Sequence, residues 1–94
     1  MKKREALLET RLTNAVKKAG GMTLKLPSMF YRGIPDRMIL LPGPAIYFVE
    51  LKRAGETLPG NQARWIRFLR SLGFTAGSVR GEEALETFLD KYVR

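Results

Sequence analysis

Three features of this 94-residue sequence predict an α/β fold, with a mixed central sheet flanked by helices. Apolar residues recur at three- and four-residue spacing in three separate segments, the mark of helices with one buried face. Short runs between them alternate in polarity or are rich in β-formers. Glycine or proline punctuates the junctions, giving the order α-β-β-β-α-β with a C-terminal helix.

The first helix is predicted over residues 3–19, where Leu8, Leu12, Ala15, Val16 and Ala19 recur and Gly20-Gly21 stops the pattern. Glu5 and Glu9 fall on the same stripe, so at least one carboxylate leans toward the interior. Lys17 and Lys18 suit the negative end of the helix dipole. Met22 to Leu26 alternates and reads as a short first strand. The loop Pro27–Pro35 sets Met29, Phe30, Tyr31 and Arg32 side by side. Arg37 to Leu41 is the second strand, Pro42-Gly43-Pro44 the turn, and Ala45 to Lys52 the third strand.

Arg53 to Leu58 is a loop. Pro59 suits the first position of a helix running to about Leu72, with Gln62, Trp65, Ile66, Leu69 and Leu72 inward and Arg64, Arg67 and Arg70 elsewhere. Gly73 ends it. Phe74 to Val79 is a fourth strand, weakened by Gly77, and Gly81 leads into a last helix bearing Leu85, Phe88, Leu89 and Tyr92 on one face. Residues 1–94 read as a single domain with one modest core, without repeats or low-complexity tracts.

Cysteine and histidine are both absent. That excludes disulfides, Cys/His zinc sites, a thiol nucleophile and an imidazole base. Catalysis would have to run on carboxylates, lysine, hydroxyls, amides and a hard cation. No apolar run is long enough to cross a bilayer and no signal-peptide pattern opens the chain, so an intracellular, cytoplasmic protein without a membrane partner is expected.

The net charge of +8 points to a polyanionic partner. Residues 1–81 carry 15 Lys and Arg against five Asp and Glu, a net of +10, while residues 82–94 are net −2. The five acids of the basic body are Glu5, Glu9, Asp36, Glu50 and Glu56. Carboxylates repel phosphate, so on a nucleic-acid surface each needs a reason, and a bound divalent cation supplies one.

The third strand carries that chemistry. Alternation puts Ile46, Phe48, Glu50 and Lys52 on one face and Tyr47, Val49 and Leu51 on the other. Asp36 heads the neighbouring antiparallel strand, across from the end of the third. Asp36 and Glu50 then offer hard oxygens to Mg²⁺ or Mn²⁺, with the Leu51 carbonyl as a further ligand. Lys52 is placed to orient water or to neutralise charge on a phosphorane. A Glu-x-Lys pair alone is a common strand end with a weak ion pair. Gly33-Ile34-Pro35-Asp36 on the adjoining strand is what raises it to a candidate site.

These residues resemble the PD-(D/E)xK nuclease superfamily, and within it the small VRR-NUC domains found alone in phages or at the end of larger repair nucleases. The resemblance covers nearly the whole chain: Glu9, Gly33-Ile34-Pro35-Asp36, Phe48-Val49-Glu50-Leu51-Lys52, Gln62 with Trp65, and Leu72-Gly73. It implies a restriction-endonuclease-like core. It also implies that Asp36 and Glu50 are the metal-binding acids and Lys52 the catalytic lysine. Glu9 would be the helix carboxylate that reaches the metal, with Glu5 as a fallback, and Gln62 the glutamine beside the site. The segment Leu58-Pro59-Gly60-Asn61 departs from the Ser or Thr cap common in relatives.

Lys25, Tyr31, Arg32, Arg37 and Arg53 flank the site as candidate nucleic-acid contacts, whereas Met29 and Phe30 suit either a branched substrate or a dimer contact. Trp65 fits the core better than a stacking platform. The resemblance implies a homodimeric endodeoxyribonuclease on branched DNA, four-way junctions included, of phage or bacterial origin and with no small-molecule cofactor. The rival reading is a non-catalytic, basic nucleic-acid-binding module on the same fold.

Overall fold

A computed structural model describes residues 3–94. The order is α1 (Lys3–Lys18), β1 (Met22–Lys25), β2 (Arg37–Leu41), β3 (Ala45–Lys52), α2 (Gly60–Ser71), β4 (Thr75–Arg80) and α3 (Gly81–Tyr92). The four strands form one sheet in the order β1-β2-β3-β4, antiparallel from β1 to β3 and parallel between β3 and β4. A parallel pair needs a crossover, and α2 supplies it. The α/β class and the element order are those expected.

The period of β3 sorts the core into two layers. Val49 and Leu51 join Ile39, Val79, Leu8, Leu12 and Val16 of α1, and Leu85, Phe88 and Leu89 of α3. Phe48 turns the other way, to Ile66 and Leu69 of α2 and Ala76. Two helices therefore cover one face of the sheet and one helix covers the other. The single helix leaves part of its face open: Met22, Leu24 and Ile46 are exposed there. Register places Met22, Leu40 and Ile46 in one row and Leu24, Met38 and Phe48 in the next.

Three local expectations need correction. Pro59 is the N-cap of α2, not its first helical residue, with φ −58° and ψ 153°. Leu72 is the C-cap and 57% exposed, outside the inner face, because α2 stops one residue earlier. Strand β4 begins at Thr75, one residue after Phe74, and runs one further, to Arg80. Arg70 lies outside the inner face as expected, and its Nε donates to the Ala76 carbonyl at 2.6 Å. A Cβ at Gly77 would come within 3.3 Å of that guanidinium, a tight approach.

Candidate active site

Cross-strand partners share a face, and Arg37 pairs with Val49. One residue back, Asp36 stands opposite Glu50, and both point to the α2 side. Asp36 is held from three directions. Its carbonyl accepts the Leu26 N–H at 2.8 Å, its Oδ1 lies 3.4 Å from the Leu51 N–H, and the preceding Pro35 is fully buried. Glu50 is only 7% exposed. Lys52 Nζ lies 3.9 Å from Glu50 and 3.8 Å from Glu56. Glu56 is in turn fixed by accepting the Arg53 N–H at 3.0 Å.

The electrostatics of the two acids are unusual for a basic protein. Burial pushes Asp36 up to about 6, against a hydrogen bond from Leu51 that works the other way. Burial, reinforced by the Asp36 carboxylate, pushes Glu50 up to about 7. Both face a groove of about 880 Å³ that also receives Lys25, Arg32, Asn61 and Gln62. The Gln62 amide oxygen is buried there without a hydrogen-bond partner. Buried acceptors are normally satisfied, so this one waits for a donor or a cation. Two carboxylates and an amide oxygen facing one groove are oxygen donors, the ligand type that hard divalent cations take.

The N-terminus of α2 closes this groove. Asn61 Oδ1 accepts the Gln62 N–H at 3.0 Å, serving in the first turn where Pro59 has no side chain to cap with. Gly33 packs beneath it with φ +91°, and a Cβ there would meet the Asn61 backbone at 2.7 Å. Close packing and a left-handed backbone therefore both require glycine at position 33.

No protein-family model matches the chain. A solved VRR_NUC domain superposes with a TM-score of 0.85 over 95% of this chain and 97% of that one, at 26% identity. A second solved structure, a VRR_NUC domain protein, gives 0.74 over 99% and 90% at 17% identity, a likeness of fold. The relative "Putative nuclease p44" of Acyrthosiphon pisum secondary endosymbiont phage 1 is 41% identical over 70 residues, 74% of this chain and 75% of its own length. The chain belongs to the VRR-NUC family.

Within this VRR-NUC fold, Asp36, Glu50 and Gln62 meet in one groove, with Lys25 and Arg32 on its wall. Lys52 lies beside the groove, between Glu50 and Glu56. Glu9 does not join them: it is ion-paired with Arg37, although its charge is felt at Asp36. Among the described residues no three acids converge on one point.

The reading of Arg37 as a phosphate contact is corrected. It is 7% exposed on the α1 side of the sheet, committed to Glu9. Arg53 faces away from the groove, toward Glu5 and Glu56. Tyr31 is exposed, its ring edge-on to Trp65. Two contributors went unassigned in the sequence, Glu56 and Asn61. Glu56 lies four residues after Lys52, and Asn61 is a side-chain acceptor in an uncapped helix turn; both signals were available.

Proposed function

We propose that this chain is a Mg²⁺- or Mn²⁺-dependent endonuclease that hydrolyses DNA phosphodiester bonds with an activated water. One observation carries the reading: in a chain of net charge +8, two of the few acids, Glu50 buried and Asp36 half-buried, share a groove rimmed by lysine and arginine. A surface built only to bind phosphate has no use for them.

Asp36, Glu50 and the Leu51 carbonyl would hold the cation, with Glu9 available if released from Arg37. Bound there, a divalent cation supplies positive charge against a phosphoryl oxygen and acidifies water. Lys52 neutralises charge that develops on the phosphorane and holds the attacking water in line. The Gln62 amide oxygen accepts a hydrogen bond from that water or from Lys52. Lys25 and Arg32 position the backbone, as does the N-terminus of α2, whose free N–H groups favour a phosphate.

The chain acts, in this reading, as a homodimer on branched DNA inside the cell. The open apolar rows through Met22, Leu24 and Ile46 offer an isologous contact, and two-fold symmetry would present two sites to two strands. No helix among the described residues is long and apolar enough to cross a membrane.

The test is incubation with plasmid, flap and four-way-junction DNA in Mg²⁺, Mn²⁺ or EDTA. Cleavage should require the metal and disappear in Asp36→Ala, Glu50→Ala and Lys52→Ala. Metal-free DNA binding should persist in Lys52→Ala. Undiminished cutting by Asp36→Ala, or in excess EDTA, would refute the assignment, and binding without cutting under every condition would favour the non-catalytic module.

A further inference from the structure

The groove that holds Asp36 and Glu50 is one of two that meet at a common wall. Arg32 and Asn61 line both. On their far side a second groove, of about 420 Å³, runs over the first turns of α2 past Arg64, Trp65 and Phe68. The hydrolytic chemistry makes no use of these last three.

The β1–β2 loop stands where the two grooves meet. Met29 lines the first groove and is 79% exposed. Tyr31 packs edge-on against Trp65 of the second, with centroids 6.1 Å apart. Phe30, between them in sequence, is 81% exposed, more than any other large hydrophobic residue described. The loop behind this crest is pinned. Trp65 Nε1 donates to the Arg32 carbonyl at 3.0 Å, and Gly33 is packed against the Asn61 backbone. A single exposed apolar residue is ordinary, but Met29, Phe30 and Tyr31 are exposed side by side on a fastened loop, and a contiguous patch of this kind marks an interaction site.

Apolar side chains of this kind stack on bases or enter between them regardless of sequence. The surroundings select that use over burial in a protein interface. Lys25 lines the groove on one side of the crest and Arg64 the groove on the other, with Arg32 on the wall they share, so each groove carries cationic charge. Two cationic grooves that meet beside an apolar crest suit two nucleic-acid backbones that part at an unpaired step.

We infer that Phe30, with Met29, is a wedge that stacks on the first unpaired base step and divides the strands. One strand enters the groove of Asp36 and Glu50, and the other runs over Arg64 and Phe68. This rests on the hydrolytic reading only in naming the first strand as the one that is cut. The wedge itself is a property of binding.

It is tested without cleavage, by fluorescence anisotropy in EDTA. The ligands are a labelled fork with two non-complementary arms and a linear duplex of the same length. Wild-type protein should prefer the fork, and Phe30→Ala and Arg64→Glu should each lower the fork-to-linear affinity ratio by about fivefold or more. Arg11→Glu, the same charge change on the exposed side of α1, should leave the ratio unchanged. A 2-aminopurine at the branch step should change its fluorescence on binding wild-type protein and much less on binding Phe30→Ala. An unaltered ratio in both variants, or no fork preference in the wild type, overturns the wedge. Loss of metal-dependent cutting with the ratio intact would instead remove the hydrolytic reading and leave the wedge standing.

Discussion

On the α1–α3 side of the sheet several acids have close partners: Glu9 holds Arg37, and Glu86 and Asp90 hold Arg94. On the α2 side the half-buried Asp36 and the buried Glu50 face the same groove, and the ion pair made by either is a loose one, Lys52 at 3.9 Å from Glu50. The apolar surfaces differ in the same sense. Two helices seal the first side around Leu12, Val16, Ile39 and Leu85, none of which is exposed at all. One helix half-covers the second and leaves a groove, a row of exposed apolar residues and an unpartnered amide oxygen. The first side is sealed, and the second leaves a groove in which burial disfavours the charged forms of Asp36 and Glu50. Strain of this kind concentrates where function is.

Substitution should separate the two sides. Glu50→Gln removes a carboxylate that burial and Asp36 both disfavour. Cleavage should fall by on the order of 10²–10³-fold or more, the loss typical of one electrostatic group in an active site. The metal-free protein should nevertheless melt at the same temperature or higher. A lower Tm together with retained cutting would place Glu50 on the structural side. Leu12→Ala should do the reverse, costing about 2–5 kcal/mol by the cavity it leaves. Denaturant melts would show the loss, and residual activity per folded molecule should be normal.

Glu9 lies between the two categories. If it serves chiefly Arg37, then Glu9→Gln leaves a buried guanidinium without its counter-charge, a cost of about 1–3 kcal/mol. Thermal melts would report that loss with or without metal. If Glu9 also reaches the cation, the stabilisation that Mn²⁺ confers on the wild type should shrink in the variant, which a purely structural partner of Arg37 would not cause.

Much of this contrast was legible in the sequence, because strand periodicity is strict. A period of two sent Glu50 and Val49 to opposite faces, and the Pro-Gly-Pro turn set the register that brings Asp36 opposite Glu50. The same rule, applied to β2, also turns Arg37 away from Asp36, so the sequence held the means to remove Arg37 from the phosphate contacts. What could not be read was long-range. That Glu9 finds Arg37, and that Arg53 turns toward Glu5 and Glu56, depends on how α1 docks on the sheet. No local pattern states that angle. The second groove over Arg64 and Phe68 was likewise hidden, since it exists only where the β1–β2 loop leans on α2.

Acidity gives a further separation. Asp36 and Glu50 titrate near 6 and 7 in the folded chain and near 4 when unfolded, so between those values the folded state binds more protons. Their effect on stability is therefore most favourable below about 4 and is lost as pH rises through about 7. Metal-free protein should melt at a lower temperature at pH 8 than at pH 5. Mn²⁺ at pH 8 should reverse much of that loss, because a cation favours the ionised pair. Asp36→Asn should flatten the slope, and a slope unchanged in that variant would mean other groups carry it.

The smallest effect is expected at the far end of the molecule. Arg94 reaches both Glu86 and Asp90 at 2.6 and 2.8 Å, the tidiest ion-pair geometry in the described chain. All three side chains are nevertheless largely in water, where screening and side-chain entropy cancel most of the attraction. Arg94→Ala should leave Tm unchanged within error at 0.15 M salt (roughly physiological ionic strength) and leave cleavage intact. A drop of several degrees would mean that the C-terminal helix is held by charge and not by Leu85, Phe88 and Leu89. The covered side of the sheet would then owe its stability to the same kind of interaction that the groove leaves unsatisfied.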